Sequence, residues 1–362
     1  MKDILQRLAE GPIVGDGSMC MTLEKRGYCS AGLWSPEAVL LYPEAVKQLL
    51  REYMRAGADV LQTPCFYSCE GRLRRGNTTF TSNEINDAAC KMTHEIANEG
   101  QDVLVCGGLS PVETYAPGKD LSAARREFEA QLEVFIKHDV DFLLAEFFNY
   151  IEELELCIDV MKKANKPIAV SMRIGPNPDH SDVSLEECTV RMAKAGADII
   201  GLNCMYDIDT MLNALKRMKT ALDIAGLSVY LMCQPLGWRC PDVDNEKEGY
   251  ISLVEAPLAM EPRALTRGEV HKFARSAYEL GVRYIGGCCG MEPHHIRAIS
   301  HELAEERKKD PPVNDMCPPF TTLIGSSMRN HQKKGSKEFW LNVKPGSGRP
   351  HSSAYSEIES TE

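Results

Sequence analysis

Apolar residues recur along the chain in a repeated unit: an amphipathic stretch with helical spacing, a short turn, and a run of apolar, often β-branched residues. Two clear copies, at 54–63 and 192–201, share the turn sequence Ala-Gly-Ala-Asp. The copies at 277–286 and 136–145 vary this unit, and the second lacks the glycine. Each turn is expected to end a helix, and each apolar run is expected to enter a buried strand.

The repeated unit predicts eight strands that alternate with eight helices. The predicted strands are 13–16, 60–63, 103–109, 142–147, 168–174, 199–204, 229–234 and 284–289. The predicted helices are 44–56, 82–98, 123–138, 151–164, 185–195, 210–224, 267–280 and 293–306. Eight such alternations favour parallel pairing and, most simply, an α/β fold of the closed (β/α)8 TIM-barrel type. An open doubly wound sheet is the alternative, but no Gly-x-Gly-x-x-Gly turn follows the first strand.

Residues 1–310 are expected to form this barrel, and residues 311–362 a C-terminal oligomerisation arm with a partly disordered tail. Apolar residues of the arm such as Phe339 and Trp340 favour burial against a partner subunit. Disorder is the alternative, and it is the expectation beyond about Pro350.

Three long connections follow predicted strands, at 67–81, 110–122 and 235–266. In a barrel they lie over the face that carries catalysis. The last of them is rich in Pro, Asp and Glu, and it predicts a lid.

The composition, with 43% hydrophobic and 26% charged residues, is typical of a soluble globular protein. A net charge of -11 argues against nucleic acid or anionic membranes as partners. Residues 1–10 lack the apolar core of a signal peptide, and no stretch approaches the roughly 18 apolar residues that span a bilayer. We therefore expect a cytoplasmic protein whose 14 cysteines are mostly reduced.

Chemically active side chains end several predicted strands, where barrel enzymes place their catalytic groups. In chain order they are Asp16, Thr63, Glu146, Cys204, Gln234, Cys288 and Cys289. One strand separates the sixth from the eighth, so Cys204 and the vicinal pair can converge on one ion. Three thiolates with an open fourth position are typical of a zinc site that does chemistry. The alternative is that they are three of many buried thiols.

A zinc ion held by three thiolates suits a substrate thiol, which it deprotonates on binding. The usual metal hydrolase would show a His-x-His pair, and the sequence has none. Asp16 and Glu146 offer two acceptors for an ammonium group, and Thr63 offers a hydroxyl donor for a carboxylate. These groups together indicate a thiol amino acid. For either carboxyl, helix capping or binding of loop amides is the alternative.

Aromatic residues collect at the same end of the predicted barrel. They are Trp34, Phe66, Tyr67, Phe147 and Phe148. Such rings suit a quaternary ammonium or sulfonium group, since cation–π attraction contributes up to about 2 kcal/mol when desolvated. Core packing is the alternative for any one ring.

These residues make the chain resemble the homocysteine S-methyltransferase family and, more closely, its betaine–homocysteine S-methyltransferase branch. The matching stretches are 15–17, 23–28, 31–38, 62–63, 66–67, 141–146, 203–204 and 282–290. Resemblance extends over about 4–305, and more weakly through 337–340 and 347–350. The cysteine pattern and Leu-Glu-Lys-Arg-Gly-Tyr at 23–28 are its most specific parts.

The resemblance implies one zinc ion per subunit, bound by three cysteines, and a tyrosine, Tyr67, that approaches the metal when substrate is absent. The implied zinc ligands are Cys204, Cys288 and Cys289. The residues implied to hold homocysteine are Asp16, Gly17, Thr63 and Glu146, of which Glu146 is also assigned to catalysis. The resemblance implies that Trp34 and Tyr67 face the methyl donor. From the aromatic pattern, Phe66 and Phe147 are also expected to bind substrate there. The family's arm implies homo-oligomers, either dimers or tetramers.

The predicted reaction is methyl transfer from glycine betaine to homocysteine, which gives methionine and dimethylglycine. One departure concerns the donor: the branch typically has a tyrosine after the glutamate, and here the residue is Phe147. A sulfonium donor such as S-methylmethionine is the close alternative. A catalytically inactive thiol-binding barrel is the alternative from another class. Cobalamin- or folate-dependent synthesis is disfavoured because no further domain is expected after the barrel.

Overall fold

A computed structural model describes residues 3–29, 35–76, 78–310, 334, 336–349 and 357–358 of the chain. Its main sheet consists of β1 (Ile13–Val14), β2 (Val60–Gln62), β3 (Leu104–Leu109), β4 (Phe142–Phe148), β5 (Ile168–Met172), β6 (Ile199–Asn203), β7 (Tyr230–Gln234) and β8 (Val282–Ile285). Neighbouring strands follow the order β1-β8-β7-β6-β5-β4-β3-β2, and each pair is parallel. The sheet forms a nearly closed barrel, which confirms the predicted fold.

Helices connect the strands along the outside of the barrel. They are α1 (Ile4–Glu10), α2 (Cys20–Lys25), α3 (Ala38–Leu41), α4 (Pro43–Ala56), α5 (Glu70–Arg75), α6 (Ser82–Ala97), α7 (Ser122–Lys137), α8 (Ile151–Met161), α9 (Leu185–Lys194), α10 (Ile208–Ala225), α11 (Arg267–Leu280), α12 (Pro293–Glu302), α13 (Ala304–Arg307) and α14 (Lys337–Leu341). Thr81 and Thr266 begin α6 and α11 with capping boxes, which satisfy amides that have no partner inside the helix. The helix predicted at 293–306 is divided at Leu303 into α12 and α13.

Side chains from the strands fill the interior of the barrel. This inner cluster includes Ile13, Val60, Leu104, Phe142, Leu144, Ile199, Met232 and Tyr284. Ile4 and Leu8 of α1 are buried in the same cluster, so this short helix closes the amino-terminal end of the barrel. A larger apolar cluster packs the outer faces of the strands against the helices. The carboxyl ends of the strands lie at the opposite end of the barrel from this helix.

Asp59 closes the seam between β1 and β2, the two strands at the ends of the sheet order. Its N–H donates to the carbonyl oxygen of Val14 at 2.7 Å, and its carboxylate accepts the Val14 N–H at 2.9 Å. The same carboxylate lies 2.9 Å from Nη2 of Arg307 and 2.5 Å from Nζ of Lys309. Asp59 and Arg307 are almost fully buried, so this ion pair ties the end of α13 to the seam.

The eighth strand ends earlier than the sequence predicts. The apolar pattern predicted a strand over 284–289, whereas β8 ends at residue 285. Gly286 and Gly287 still donate their N–H groups, each at 2.9 Å, to carbonyl oxygens of β7 and of the loop after β1. Because two different segments now hold the backbone, Cys288 and Cys289 lie in a loop at the rim of the barrel.

The described part of the C-terminal arm lies against the barrel of its own chain. The ring of Trp340 packs 5.0 Å from that of His271 on α11. Arg349 is buried and donates to the carbonyl oxygen of Arg263 at 2.9 Å. Strand β9 (Val343–Lys344) pairs antiparallel with β10 (Glu357–Ile358). Residues 311–333, 335, 350–356 and 359–362 lie outside the described residues, so the predicted partner contact and tail disorder remain predictions.

The cysteines within the described ranges are free thiols, in agreement with the prediction from composition. None of the helices described is both long enough and apolar enough to cross a membrane.

Replacing Asp59 by Ala should lower the free energy of unfolding by about 3–5 kcal/mol, because it leaves the buried guanidinium of Arg307 without its charge partner. Urea unfolding followed by circular dichroism measures this change. Asp159→Ala is the matched control, since its pair with Arg125 is solvent-exposed and contributes at most about 1 kcal/mol. Equal effects of the two substitutions would contradict the role given to the seam.

Candidate active site

A cavity of about 250 Å³ lies at the carboxyl ends of the strands. The predicted site residues that line it are Asp16, Gly17, Thr63, Phe66, Glu146, Phe147, Cys204, Cys288 and Cys289. Tyr67 belongs to an apolar cluster that also contains Phe147 and Cys204. Trp34 lies outside the described residues. The structure therefore brings the predicted strand-end residues together around one cavity.

Three sulfur atoms form a compact cluster at one wall of this cavity. Those of Cys204, Cys288 and Cys289 lie within 4.8 Å of one another. Cys204 and the following Met205 have φ angles of 59° and 60°, in the left-handed region that side chains disfavour. Strained backbone of this kind persists where the surrounding structure fixes it, and it clusters at functional sites.

The end of β7 and the residues after it hold both sulfur-bearing segments. The hydrogen bonds run from Cys204 N–H to Gln234 O at 2.8 Å, from Cys288 N–H to Pro235 O at 2.9 Å, and from Gly237 N–H to Cys289 O at 2.9 Å. Gly290 has a φ of 78°, and a Cβ there would lie 2.5 Å from the ring of Trp238. A residue larger than glycine would therefore push the two loops apart and separate the sulfurs.

The donor set fits a soft metal ion. Tetrahedral bonds of about 2.3 Å from zinc to sulfur place the sulfurs roughly 3.8 Å apart, so the cluster, whose sulfurs lie within 4.8 Å of one another, needs at most a small contraction. Thiolate ligands select zinc and related metals over magnesium and calcium. Within the described ranges, this is the one group of three or more His, Cys, Asp or Glu side chains with ligand spacing.

The three thiols ionise unequally. Burial opposes ionisation of Cys204, but the thiols of Cys288 and Cys289 donate to its sulfur and bring its pKa well below the ordinary thiol value. The contact with Cys204 raises the pKa of both Cys288 and Cys289 well above that value. Tyr250 adds a hydroxyl donor to Cys289, and burial holds the pKa of this tyrosine well above its usual range. Tyr250 therefore remains a donor at physiological pH.

Asp16 and Glu146 are two of the carboxyl groups that face the cavity, and Gln62 joins them. Its N–H donates to Oδ2 of Asp16 at 2.9 Å, and its side-chain amide donates to Glu146. Burial raises the pKa of Asp16 to about 7, partly offset by hydrogen bonds from the Gln62 and Asp16 amides. Burial also raises the pKa of Glu146 to about 7, against the hydrogen bond from Gln62. Asp16 thus binds backbone amides, as the alternative interpretation predicted, and it also faces the cavity.

Thr63 and Gly17 complete this wall. The Thr63 hydroxyl accepts the N–H of Gly108 at 3.0 Å and lies 3.2 Å from the sulfur of Cys65. Gly17 is required by packing, because a Cβ there would lie 2.3 Å from the carbonyl oxygen of Met291 and 2.9 Å from the ring of Tyr53. Its backbone also lines the cavity.

The predicted aromatic cage is only partly observed. The ring centroid of Phe66 lies 4.2 Å from that of Tyr67 and 5.6 Å from that of Phe147, the second in an edge-on contact. Phe148 does not join them, because it is buried in the outer core and packs 6.1 Å from Phe128. Successive residues of a strand point to opposite faces, which explains the separation of Phe148 from Phe147.

Several residues that line the cavity were not identified from the sequence, among them Arg173, Glu248 and Tyr250. Arg173 follows β5, but the predicted strand 168–174 included it and so hid it from the strand-end criterion. Glu248 and Tyr250 lie in the predicted lid, where no motif or spacing marks them. The lid prediction agrees with their position, since both side chains cover the carboxyl end of the barrel.

Glu146→Gln should stabilise the protein in a pH-dependent way. The folded-state pKa of Glu146 is raised from 4.5 to about 7, so the wild type is progressively destabilised as pH rises through this window. The variant should therefore gain little at pH 4.5 and roughly 2–3 kcal/mol above pH 7. Urea unfolding at several pH values tests this, with the exposed Glu44→Gln as control. A gain that does not change with pH would contradict the assignment.

Known proteins match this chain over almost its whole length. The homocysteine S-methyltransferase family matches residues 13–303. The chain is 46% identical to betaine–homocysteine S-methyltransferase 1 of Mus musculus, over 98% of this chain and 88% of that protein. It is 45% identical to the protein of the same name in Danio rerio, over 96% and 88%. It is also 45% identical to S-methylmethionine–homocysteine S-methyltransferase BHMT2 of Pongo abelii, over 96% and 94%.

A solved structure shares the fold. The homocysteine methyltransferase MmuM of Escherichia coli, in its metallated form, superimposes with a TM-score of 0.62 at 18% identity. The match covers 80% of this chain and 95% of that one. The resemblance drawn from the cysteine pattern and the 23–28 motif is thus confirmed. The chain belongs to the homocysteine S-methyltransferase family.

Proposed function

We propose that the protein is a zinc-dependent enzyme that transfers a methyl group from glycine betaine to the sulfur of L-homocysteine, giving methionine and dimethylglycine. The observation that carries the proposal is the convergence of three sulfurs and two carboxyls on one cavity. Family membership supports the acceptor, and the names of several relatives at 45–46% identity support the donor.

Cys204, Cys288 and Cys289 would hold one zinc ion per subunit. When bound, zinc lowers the pKa of a coordinated thiol and would thus supply homocysteine as its thiolate. The hydroxyl of Tyr250 donates to Cys289, and such outer contacts orient metal ligands. We assign Tyr67, which adjoins the cluster, the role of approaching the site when homocysteine is absent.

Asp16 and Glu146 would bind the ammonium group of homocysteine. Their pKa values of about 7 mean that each is half ionised near neutral pH, and a bound cation favours the ionised form. The Thr63 hydroxyl would donate to the substrate carboxylate, and the backbone of Gly17, which lines the cavity, would contact the same end of the substrate. These contacts fix the direction in which the homocysteine sulfur points.

In the methyl step, the homocysteine sulfur attacks a methyl carbon of the donor. A sulfur–carbon bond forms, the carbon–nitrogen bond of betaine breaks, and its electron pair stays on nitrogen as a neutral tertiary amine. The thiol proton has already left to solvent, so this step needs no general base. The residues contribute by aligning both substrates, which lowers the entropic part of the barrier. Phe66 and Phe147 keep water from the reacting atoms.

A sulfonium donor is the second candidate, because the relative from Pongo abelii named for S-methylmethionine is as similar as those named for betaine. Identity alone therefore does not rank the two donors. An inactive thiol-binding barrel is disfavoured, since the three cysteines and both carboxyls are all in place around the cavity.

We also propose a homo-oligomer, dimer or tetramer, in the cytoplasm. The free thiols support a reducing compartment, and the net charge of -11 supports small molecules rather than nucleic acid or membranes as partners. Trp340 and Phe339 on α14 offer apolar surface for a subunit contact.

Cys289→Ala should remove zinc and abolish methyl transfer, because two thiolates hold zinc much less tightly than three. Zinc is measured by elemental analysis, and turnover by methionine formed from homocysteine and betaine. Cys188→Ala, a buried thiol in α9, should keep both properties and serves as the control. Full zinc content and activity in Cys289→Ala would contradict the proposal.

Competition between donors at equal concentration should favour glycine betaine over S-methylmethionine. Isotopic labelling of one donor's methyl group shows which donor contributes to the methionine formed. A clear preference for the sulfonium would transfer the assignment to that donor while leaving the acceptor and the metal site intact.

A further inference from the structure

Arg173 places a guanidinium group in the wall of the cavity. Among the described residues that line the cavity, it is the one lysine or arginine. Its side chain is 13% exposed, and its guanidinium carbon lies 5.1 Å from the centroid of the Phe147 ring. The face of Phe147 is therefore already covered by a cation, and it is a poor place for the onium group of a donor.

The guanidinium group is only partly neutralised. Its Nη2 donates to the carboxylate of Glu248, a lid residue whose side chain is 50% exposed. Its Nε is buried and has no hydrogen-bond partner among the described residues. A buried donor without a partner is unfavourable, and more so when the group is charged, so the site favours an anionic ligand that displaces Glu248 and reaches Nε.

We propose that Arg173 binds the carboxylate of the methyl donor, which accepts from Nε and competes with Glu248 for Nη2. The inference rests on the proposed function, and it narrows the donor to a zwitterion with a carboxylate beside its onium group. Guanidinium suits a carboxylate because its N–H groups form a planar fork. Glu248 then occupies in the free enzyme the place that the donor carboxylate takes.

This assignment also explains how a site with Phe147 can bind a carboxylate donor. The phenylalanine ring offers no hydroxyl, but it supports the guanidinium of Arg173 through a cation–π contact. The donor's positive centre is repelled by Arg173 and is thereby directed away from this wall. Arg173 thus selects the orientation of the donor as well as its class.

The test uses two probes with the shape of glycine betaine on the zinc-loaded protein with homocysteine. The first, 3,3-dimethylbutanoate, keeps the carboxylate and replaces the nitrogen by carbon. The second, betaine amide, keeps the ammonium and lacks the carboxylate. By calorimetry, Arg173→Met should weaken binding of 3,3-dimethylbutanoate about tenfold or more, and should not weaken binding of betaine amide, which Arg173 repels. Arg173→Lys should restore part of the loss.

Glu248→Gln is the matched control for the lid. It removes the same ion pair as Arg173→Met but keeps the guanidinium and loses the competing carboxylate. It should therefore tighten binding of 3,3-dimethylbutanoate. Equal weakening by both variants would show that Arg173 only anchors the lid, and unchanged binding in Arg173→Met would equally overturn the proposal. So would a wild type that does not bind the anionic probe.

The proposed function and the role of Arg173 are tested by different outcomes. If the wild type does not turn over glycine betaine but binds 3,3-dimethylbutanoate through Arg173, the donor assignment is wrong and the carboxylate site stands. If betaine is turned over equally well by Arg173→Met, with the same KM and kcat, the donor assignment stands and the role of Arg173 is overturned.

Discussion

Everything at the active site depends on the hydrogen bonds by which the end of β7 holds the loops after β6 and β8. Cys204 donates to Gln234, and the Cys288–Cys289 segment both donates to and accepts from residues 235–237. Strand order alone brings these loops to the same edge of the barrel, but it does not set the spacing of their sulfurs. The backbone contacts with β7 do, so the spacing of the three sulfurs is a property of the fold.

A second feature is that the cavity keeps its charges close to neutral. Burial brings the pKa of Asp16 and Glu146 near 7, the hydroxyl of Tyr250 donates to the sulfur of Cys289, and the Glu248 carboxylate pairs with the guanidinium of Arg173. Such a site gains charge when its ligands arrive, because each substrate group stabilises the ionised form of its partner. Asp16 and Glu146 offer negative charge and Arg173 offers positive charge, so the cavity has a partner for each sign that a zwitterionic ligand carries.

The sequence predicted the architecture well because strand and helix periodicities are local properties. The periodic units gave all eight strands, and the strand-end rule located Asp16, Glu146 and Cys204 on one cavity. The prediction failed at 286–289, which lie in a loop because two different segments accept the N–H groups of Gly286 and Gly287. It also failed for Phe148, which faces the outer core because successive residues of a strand point to opposite faces. Arg173 was hidden inside a predicted strand, and Tyr250 lies in a lid whose path only the folded barrel determines.

X-ray absorption at the zinc edge tests the central claim most directly. With zinc bound, the protein is predicted to show three sulfur neighbours at about 2.3 Å, and four after addition of homocysteine. A spectrum dominated by nitrogen or oxygen neighbours, or one that homocysteine leaves unchanged, would contradict the claim that the three cysteines hold a metal for the substrate thiol.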